Sequence, residues 1–502
     1  MSAPAVIGLD LGTSSAKAVA FDAGGRALAA HAVEVGIASP APDRAEQNPD
    51  ELVGAAEQAT AAVVRDLSAQ GRTVVGLGCS GAMHSLLALD GAGRPLTPVI
   101  LFADNRAAAQ ARQLAARPSA VALARRTGTP IHPMSPLAKL RWFAECDQQT
   151  VAAARWWVSA KEYLIRKLCA AEVVDHSVAS ATGLLNLASA SWDEEALALA
   201  RIDADVLSTP VPTTTVLHTR RARLGLPAGT PVVVGASDGC LATLGVGATG
   251  AGVAALTVGT SGALRTIVDR PGTDAQARLF CYALTEARWV VGGPISSGGI
   301  VLRWARDRLF PELAGAAGQQ GAPGSPPSNP VYVRFDELAA GVPPGADGLL
   351  CLPYLLGERA PLWDPQLRGA FFGLSLRHGQ GHVLRALLEG VAFQLATVLE
   401  PIEELGHPVA TLRADGGFTR SRLWLQIMAD VLGRPLELPR TVEGACRGAA
   451  LLTLEALGLG DAFALAGATR VEHTITPDPA TAATYRDALD RFVKARDRLL
   501  DR

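Results

Sequence analysis

The stretch Ile7-Gly8-Leu9-Asp10-Leu11-Gly12-Thr13-Ser14-Ser15 decides the fold once it is set beside Leu256-Thr257-Val258-Gly259-Thr260-Ser261-Gly262. In the first, the apolar residues 5 to 10 enter a Gly-Thr-Ser-Ser turn. A second apolar run, Ala18 to Phe21, follows and ends in Asp22. In the second, Ala255 to Val258 enters Gly-Thr-Ser-Gly, then Ala263 to Val268, then Asp269. Both read as strand, tight turn, strand, and the Gly-to-Asp distance is the same in each, so we read an internal repeat. Two copies in one chain predict two lobes of like architecture, each giving one hairpin to a shared cleft. As local chemistry alone, a Gly-Thr-Ser hairpin is also an ordinary turn.

Working outward, Asn48-Pro49 supplies an N-cap and an N1 proline for an amphipathic run to Ala69, which Gly71 stops. Thr73 to Cys79 and Pro231 to Val234 read as buried strands ending in Gly-rich turns. Helices are expected at 136–146, 160–169, 300–309, 381–405, 421–432 and 444–457. Such alternation predicts an α/β chain with mostly parallel or mixed sheets. The low-complexity run from Gly315 to Pro330 reads as a surface loop. The lobe boundary is placed in the small residues from Gly245 to Gly252, a candidate hinge.

Composition limits the partners. The chain of 502 residues has 49% apolar and 19% charged side chains, 46 basic against 48 acidic, and a net charge of -2. Nothing in that balance attracts nucleic acid or an anionic membrane, so an anionic ligand must be met by a few local cations. Only Lys17, Lys139, Lys161, Lys167 and Lys494 are lysines. The seven scattered cysteines contain no Cys-x-x-Cys pair and read as reduced thiols of a cytoplasmic protein, with neither a disulfide framework nor a zinc site. The opening residues lack the basic region of a signal peptide, and the uncharged run between Asp238 and Arg265 is too interrupted by Gly and Thr to span a bilayer.

Several segments carry chemistry. The Gly12-Thr13-Ser14 turn, with Lys17, points N–H groups and hydroxyls at one spot, which suits phosphate oxygens, and Asp10 could hold Mg²⁺ through water. A Walker A loop is excluded, because no lysine follows a glycine. Gly235-Ala236-Ser237-Asp238-Gly239 matches a nucleophile elbow with Ser237 as nucleophile. It also fits a reading in which Asp238 accepts a proton from a substrate hydroxyl, and one in which Asp238 only caps a helix. Gly245-Val246-Gly247-Ala248-Thr249-Gly250 is formally a dinucleotide fingerprint, but the residues after it look like a strand. Met83-His84, Asp104-Asn105-Arg106 and Lys161-Glu162 offer polyol contacts, with Arg106, Lys161 or His84 available to an acid group. Asp415-Gly416-Gly417, between a strand and a helix, lets a ring or ribose approach the backbone, and reads equally well as a plain strand-to-helix turn.

Taken together, both Gly-Thr-Ser hairpins, Gly235 to Gly239, Met134-Ser135-Pro136-Leu137-Ala138-Lys139-Leu140-Arg141-Trp142-Phe143 and the block from Gly369 to Glu389 resemble the FGGY carbohydrate kinases over nearly the whole chain. Ala82-Met83-His84-Ser85-Leu86, Ala103 to Arg106, Ile131 to Met134, Phe280 to Thr285 and Gly357 to Trp363 resemble the gluconokinase branch. That resemblance implies two ribonuclease-H-like (actin-like ATPase) lobes with an interdomain cleft: residues 1–247 for sugar and catalytic carboxylate, residues 248–502 for nucleotide. It implies ATP and Mg²⁺ as cofactors and D-gluconate as acceptor, with another sugar kinase (xylulose, ribulose or glycerol) or a non-catalytic actin-like sensor as alternatives. It leaves room for a homodimer.

Residue by residue, the resemblance implies Asp238 as base and Asp10 with Asp238 at the metal. Met83, His84, Asp104, Arg106 and Lys161 go to the sugar. Gly12, Thr13, Ser14, Lys17, Gly259, Thr260, Ser261, Gly299, Gly416, Gly417 and Ser421 go to the nucleotide. Two departures stand out: Cys146, where the family pattern has an acid or amide, and Asp415, which is more like glycerol kinase.

Overall fold

The computed structural model describes residues 3–316, 330–440 and 443–500. The chain forms two compact units. The first comprises residues 1–250, 266–291 and 441–469, and the second 251–265, 292–440 and 470–502. The expected boundary near 248 marks one crossing only. Residues 266–291 and 441–469, expected in the C-terminal lobe, belong to the first unit.

In the first unit β1 (Ala3–Leu11), β2 (Ser15–Phe21), β3 (Ala27–Glu34), β4 (Arg72–Gly81), β5 (Val216–His218) and β6 (Pro231–Ser237) form one sheet in the order β5-β6-β4-β1-β2-β3. Strands β1, β4 and β6 are parallel neighbours, while β2, β3 and β5 join antiparallel. Helix Pro49–Ala69 starts as its sequence dictates, with the Asn48 side chain accepting from the Asp50 and Glu51 amides. The helix Gly444–Ala456 packs on the same sheet because the sheet offers no side chain there. A Cβ on Gly8 would sit 1.8 Å from the Cys446 carbonyl oxygen, and one on Gly78 would sit 2.4 Å from that of Ala449. That close approach brings residues 441–469 to the first unit.

In the second unit β7 (Val253–Val258), β8 (Gly262–Val268), β9 (Thr411–Asp415), β10 (Leu436–Pro439) and β11 (Val471–Ile475) run in the order β8-β7-β9-β10-β11. Here β7, β9 and β10 are parallel neighbours. Helix Gln380–Glu404 is long and apolar enough to cross a bilayer, but 83% of its most apolar window is buried inside the protein. It serves as the core helix of this unit. The architecture is that of the actin-like, ribonuclease-H-like α/β fold. The expected helices at 136–146 and 160–169 are found with those bounds. That at 300–309 is α-helical to Trp304 and continues as a wider π turn to Leu309. Residues 315 and 316 end a short helix, and 317–329 of the expected surface loop lie outside the described residues. All seven cysteines are free thiols, only Cys146 being exposed, at the end of its helix as expected.

Candidate active site

Strands β1, β4 and β6 deliver the functional side chains of the first unit at their C-terminal ends, where parallel strands commonly present ligand-binding groups. Asp10 closes β1, Ser80-Gly81 closes β4, and Asp238 follows β6 as the first residue of helix Asp238–Gly245. The Ser80 hydroxyl donates to Asp10 Oδ1 at 2.6 Å. Burial, reinforced by the negative charge of Asp238, pushes the Asp10 carboxyl up to about 6 despite that bond and the nearby Lys17. Asp238 is half-buried, with Oδ1 accepting its neighbour's amide, Gly239 N, at 2.8 Å.

The charge of Asp238 raises the proton affinity of Asp10, and a divalent cation relieves repulsion of this kind. Among the described residues no group of three or more His, Cys, Asp or Glu side chains is arranged for a metal. A pair of carboxylates is a donor set of the size Mg²⁺ takes, since that ion keeps most of its water.

The first hairpin turn is closed by Gly12 N donating to Ser15 O at 3.0 Å. Gln47 Nε2 donates to the Thr13 carbonyl at 2.8 Å, and Ser14 is exposed. Lys17 stands opposite Asp10 in the β1–β2 register. Its ammonium forms an ion pair with Glu443 at 2.7 Å. Burial works against its charge, but the Glu443 bond prevails and holds it above the ordinary lysine range. Lys17 is thus tethered beside Asp10, a partner that spacing along the chain did not reveal.

The sugar candidates divide. His84 is buried with φ at 63°, and its Nδ1 bonds the Ala181 carbonyl at 2.7 Å. Met83 is half-buried against the core. Asp104 is fully buried and accepts from Ala45 N and from the Arg106 guanidinium, which hold it below the ordinary carboxylate range although burial opposes this. Arg106 is held by Asp104 and also by Glu46, and it lies over the Trp142 ring.

Lys161 requires a correction. It is 1% exposed, 2.6 Å from Asp175 in an ion pair, and donates to the Ala236 carbonyl at 3.0 Å. A side chain so enclosed is not an open cation for a substrate carboxylate.

Two alternative chemistries are also removed. Ser237 is fully buried and its hydroxyl bonds that of Ser177 at 2.9 Å, so it is no exposed nucleophile. The residues after Gly250 form strand β7 and no helix, so no dinucleotide cradle exists there.

In the second unit the second hairpin, the Gly298-Gly299 turn and the end of β9 surround a pocket of about 420 Å³. Gly299 N donates to Gly259 O at 2.6 Å and Gly298 N to Thr260 O at 3.1 Å. A Cβ on Gly298 would lie 2.5 Å from Ser261 O, so this approach needs glycine. Gly416, with φ at 104°, comes as close to Val258 O. Of the expected nucleotide residues, Gly259, Thr260, Gly299, Gly417 and Ser421 line the pocket, while Ser261 and Gly416 shape it from behind.

Sequence reasoning missed Arg303, Tyr332, Asp336, Arg420 and Trp424, which also line it. Burial pushes the Asp336 carboxyl up, with the Ser421 hydroxyl acting in the opposite sense. Tyr332 and Asp336 sit on helix Pro330–Ala340, which follows the low-complexity run and left no motif to find.

Residues 5–245 match the N-terminal domain of the FGGY family of carbohydrate kinases, and residues 254–457 match its C-terminal domain. The chain belongs to the FGGY carbohydrate kinases. FGGY kinases use ATP as phosphate donor and a sugar hydroxyl as acceptor, so this chain is a phosphotransferase of that class. The chain is 42% identical over 497 residues to a gluconokinase of Bacillus licheniformis, covering 97% of this chain and 94% of the relative. A gluconate kinase structure from Lactobacillus acidophilus superposes with a TM-score of 0.89 at 32% identity, over 99% of this chain and 98% of the other. A xylulose kinase structure from Rhodospirillum rubrum does so with 0.87, also at 32% identity, over 99% of each.

Proposed function

We propose that this FGGY kinase phosphorylates D-gluconate at its terminal hydroxyl, giving 6-phospho-D-gluconate in the cytoplasm. The observation that carries the choice of sugar is the 42% identity to a gluconokinase over nearly the full length of both chains, against 30% to the curated xylulose kinases of Escherichia coli and Klebsiella pneumoniae. Overall fold likeness does not make that choice, because the two solved neighbours resemble the chain almost equally.

In this reading Asp238 accepts the proton of the acceptor hydroxyl as it attacks the γ-phosphorus, and the bond to the ADP oxygen breaks in line. Proton acceptance of this kind contributes about 10² to 10⁴ in rate. Asp10, with Asp238 beside it, would hold Mg²⁺, which when bound neutralises charge on the phosphates. Ser80 fixes the rotamer of Asp10. Lys17 and the Gly12-Thr13-Ser14 turn supply further positive charge and N–H donors for phosphate oxygens. The pocket at Gly259, Thr260 and Gly417 takes the nucleotide, with the Gly416-Gly417 backbone against adenosine. Met83, His84 and Arg106 contact the sugar acid, and Asp104 orients Arg106.

The test is a panel of D-gluconate, D-xylulose, D-ribulose and glycerol in a coupled ADP-release assay. The proposal predicts the highest kcat/KM for gluconate by at least about tenfold, a discrimination of about 1.4 kcal/mol. A preference for xylulose or glycerol would replace gluconate while leaving the kinase class intact. ATP binding without sugar-stimulated ADP release would favour the sensor reading.

A further inference from the structure

Two of the five lysines are enclosed almost completely, Lys139 at 0% and Lys161 at 1% exposure. Burying an ammonium is costly, and a well-packed apolar side chain commonly serves stability as well or better. Both lysines spend their donors on backbone carbonyls of the segments that carry the proposed active site.

Lys139 Nζ donates to His84 O at 2.6 Å, to Leu101 O at 2.8 Å and to Ile100 O at 3.4 Å. Three N–H donors thus reach two separate segments, one bearing Met83-His84 and the other leading into Asp104 and Arg106. His84 needs such a hold, because its φ of 63° is a left-handed conformation that a non-glycine residue keeps only when its surroundings impose it. Its carbonyl is fixed by Lys139 and its ring by Ala181 O.

Lys161 braces a different place. Its Nζ bonds the Ala236 carbonyl and pairs with Asp175, whose other oxygen accepts from Val178 N and so anchors the short helix His176–Ser180. Ser177 on that helix bonds Ser237 through both the hydroxyl and the amide, at 2.9 and 3.2 Å. The last two residues before Asp238 are therefore held from both sides.

We propose that these lysines are positioning residues with divided labour, Lys139 fixing the two sugar-binding segments and Lys161 fixing the strand end that aims Asp238. The inference rests on the kinase reading above and goes beyond it in assigning separate kinetic consequences to two buried groups that touch neither substrate.

The experiment compares full-length Lys139→Met, Lys139→Gln, Lys161→Met and the milder Ser177→Ala with the unmodified enzyme, varying gluconate and ATP separately. Lys139→Met should raise the KM for gluconate at least about tenfold with kcat within about threefold, and Lys139→Gln, which keeps two donors, should fall between. Lys161→Met should lower kcat by about 10² with gluconate affinity by calorimetry nearly unchanged, and Ser177→Ala should do the same more weakly. The KM for ATP should stay constant in all four.

Hydrogen exchange on the same proteins should show Lys139→Met and Lys139→Gln loosening residues 82–86 and 100–106, and Lys161→Met and Ser177→Ala loosening 234–240. Equal changes in kcat, both KM values and exchange throughout the first unit would overturn the proposal, as would an unsplit effect in Lys139→Gln and Ser177→Ala should the methionine variants fail to fold. If the unmodified enzyme turns over no sugar, the kinase reading fails, and the exchange pattern alone still decides whether the braces exist.

Discussion

The two Gly-Thr-Ser hairpins share a sequence pattern but differ in how the turn closes, Gly12 N on Ser15 O against Gly259 N on Ser261 O, and in where the acid stands. In the first unit Asp10 on β1 faces Ser80 on the parallel neighbour β4. In the second, Thr257 occupies the place of Asp10 on β7, and its register partner on the parallel neighbour β9 is Asp415. Carboxylate and hydroxyl have exchanged strands. The acid of the first unit lies beside Asp238 and is pushed up to about 6 by burial and that neighbour, whereas Asp415 turns an oxygen onto the amide of Gly416 at the edge of the glycine turn. The copy with its acid on the hairpin strand thus gathers negative charge at Asp10, and the other uses its acid to hold the glycine turn.

This comparison breaks first at Asp10. Asp10→Asn should cut kcat by at least about 10², through lost charge stabilisation at the phosphates, while Thr257→Val should change it less than about fivefold. Equal losses in steady-state assays would show that the two hairpin strands contribute alike.

The two glycines that follow β9 give the next contrast. Gly416→Ala forces a side chain into a φ of 104° and within 2.5 Å of Val258 O, so urea unfolding should show a loss of about 1–3 kcal/mol, together with a raised KM for ATP. Gly417→Ala, with open space at its Cβ, should be tolerated in stability, although it lines the pocket.

The next effect concerns pH. Asp10 is harder to ionise in the folded chain than unfolded, so its contribution favours the folded state at low pH and is lost as pH rises from 3.8 through about 6. Without divalent cation, Asp10→Asn should therefore stabilise the protein by roughly 1 to 3 kcal/mol at pH 8 and by little at pH 4. A variant less stable than its parent at pH 8 would contradict this.

The smallest contrast tests the repeat spacing itself. Asp22 accepts from Gly24 N and Arg26 N and pairs with Arg26, so Asp22→Ala should cost about 1 kcal/mol. Exposed Asp269, 3.7 Å from Arg270, should be neutral within about 0.5 kcal/mol when changed to Ala.

Those two aspartates also show what the sequence carried and what it did not. Their equal spacing from Gly12 and Gly259 helped reveal the duplication, yet they share no structural role. The hairpins, the capped helix at Asn48 and the glycine turn at 416 were legible because each is local chemistry written within a few residues. The placement of helix Gly444–Ala456 in the first unit was not legible, since it follows from bare patches at Gly8 and Gly78 that only packing brings opposite. Lys161 misled for a related reason. A lysine next to a glutamate reads as a surface cation, and its buried partner, Asp175, lies on another element. The Arg303, Tyr332 and Asp336 wall of the pocket left no motif, because these residues come from two helices, Ile300–Trp304 and Pro330–Ala340, that only packing sets around one cavity.

The most direct measurement is on Asp238→Asn, assayed for gluconate-dependent ADP release and, in parallel, for gluconate binding by calorimetry. The account predicts turnover reduced by about 10² to 10⁴ or more with gluconate affinity close to that of the unmodified enzyme. Turnover within about tenfold of normal would remove the carboxylate from proton transfer and contradict the mechanism.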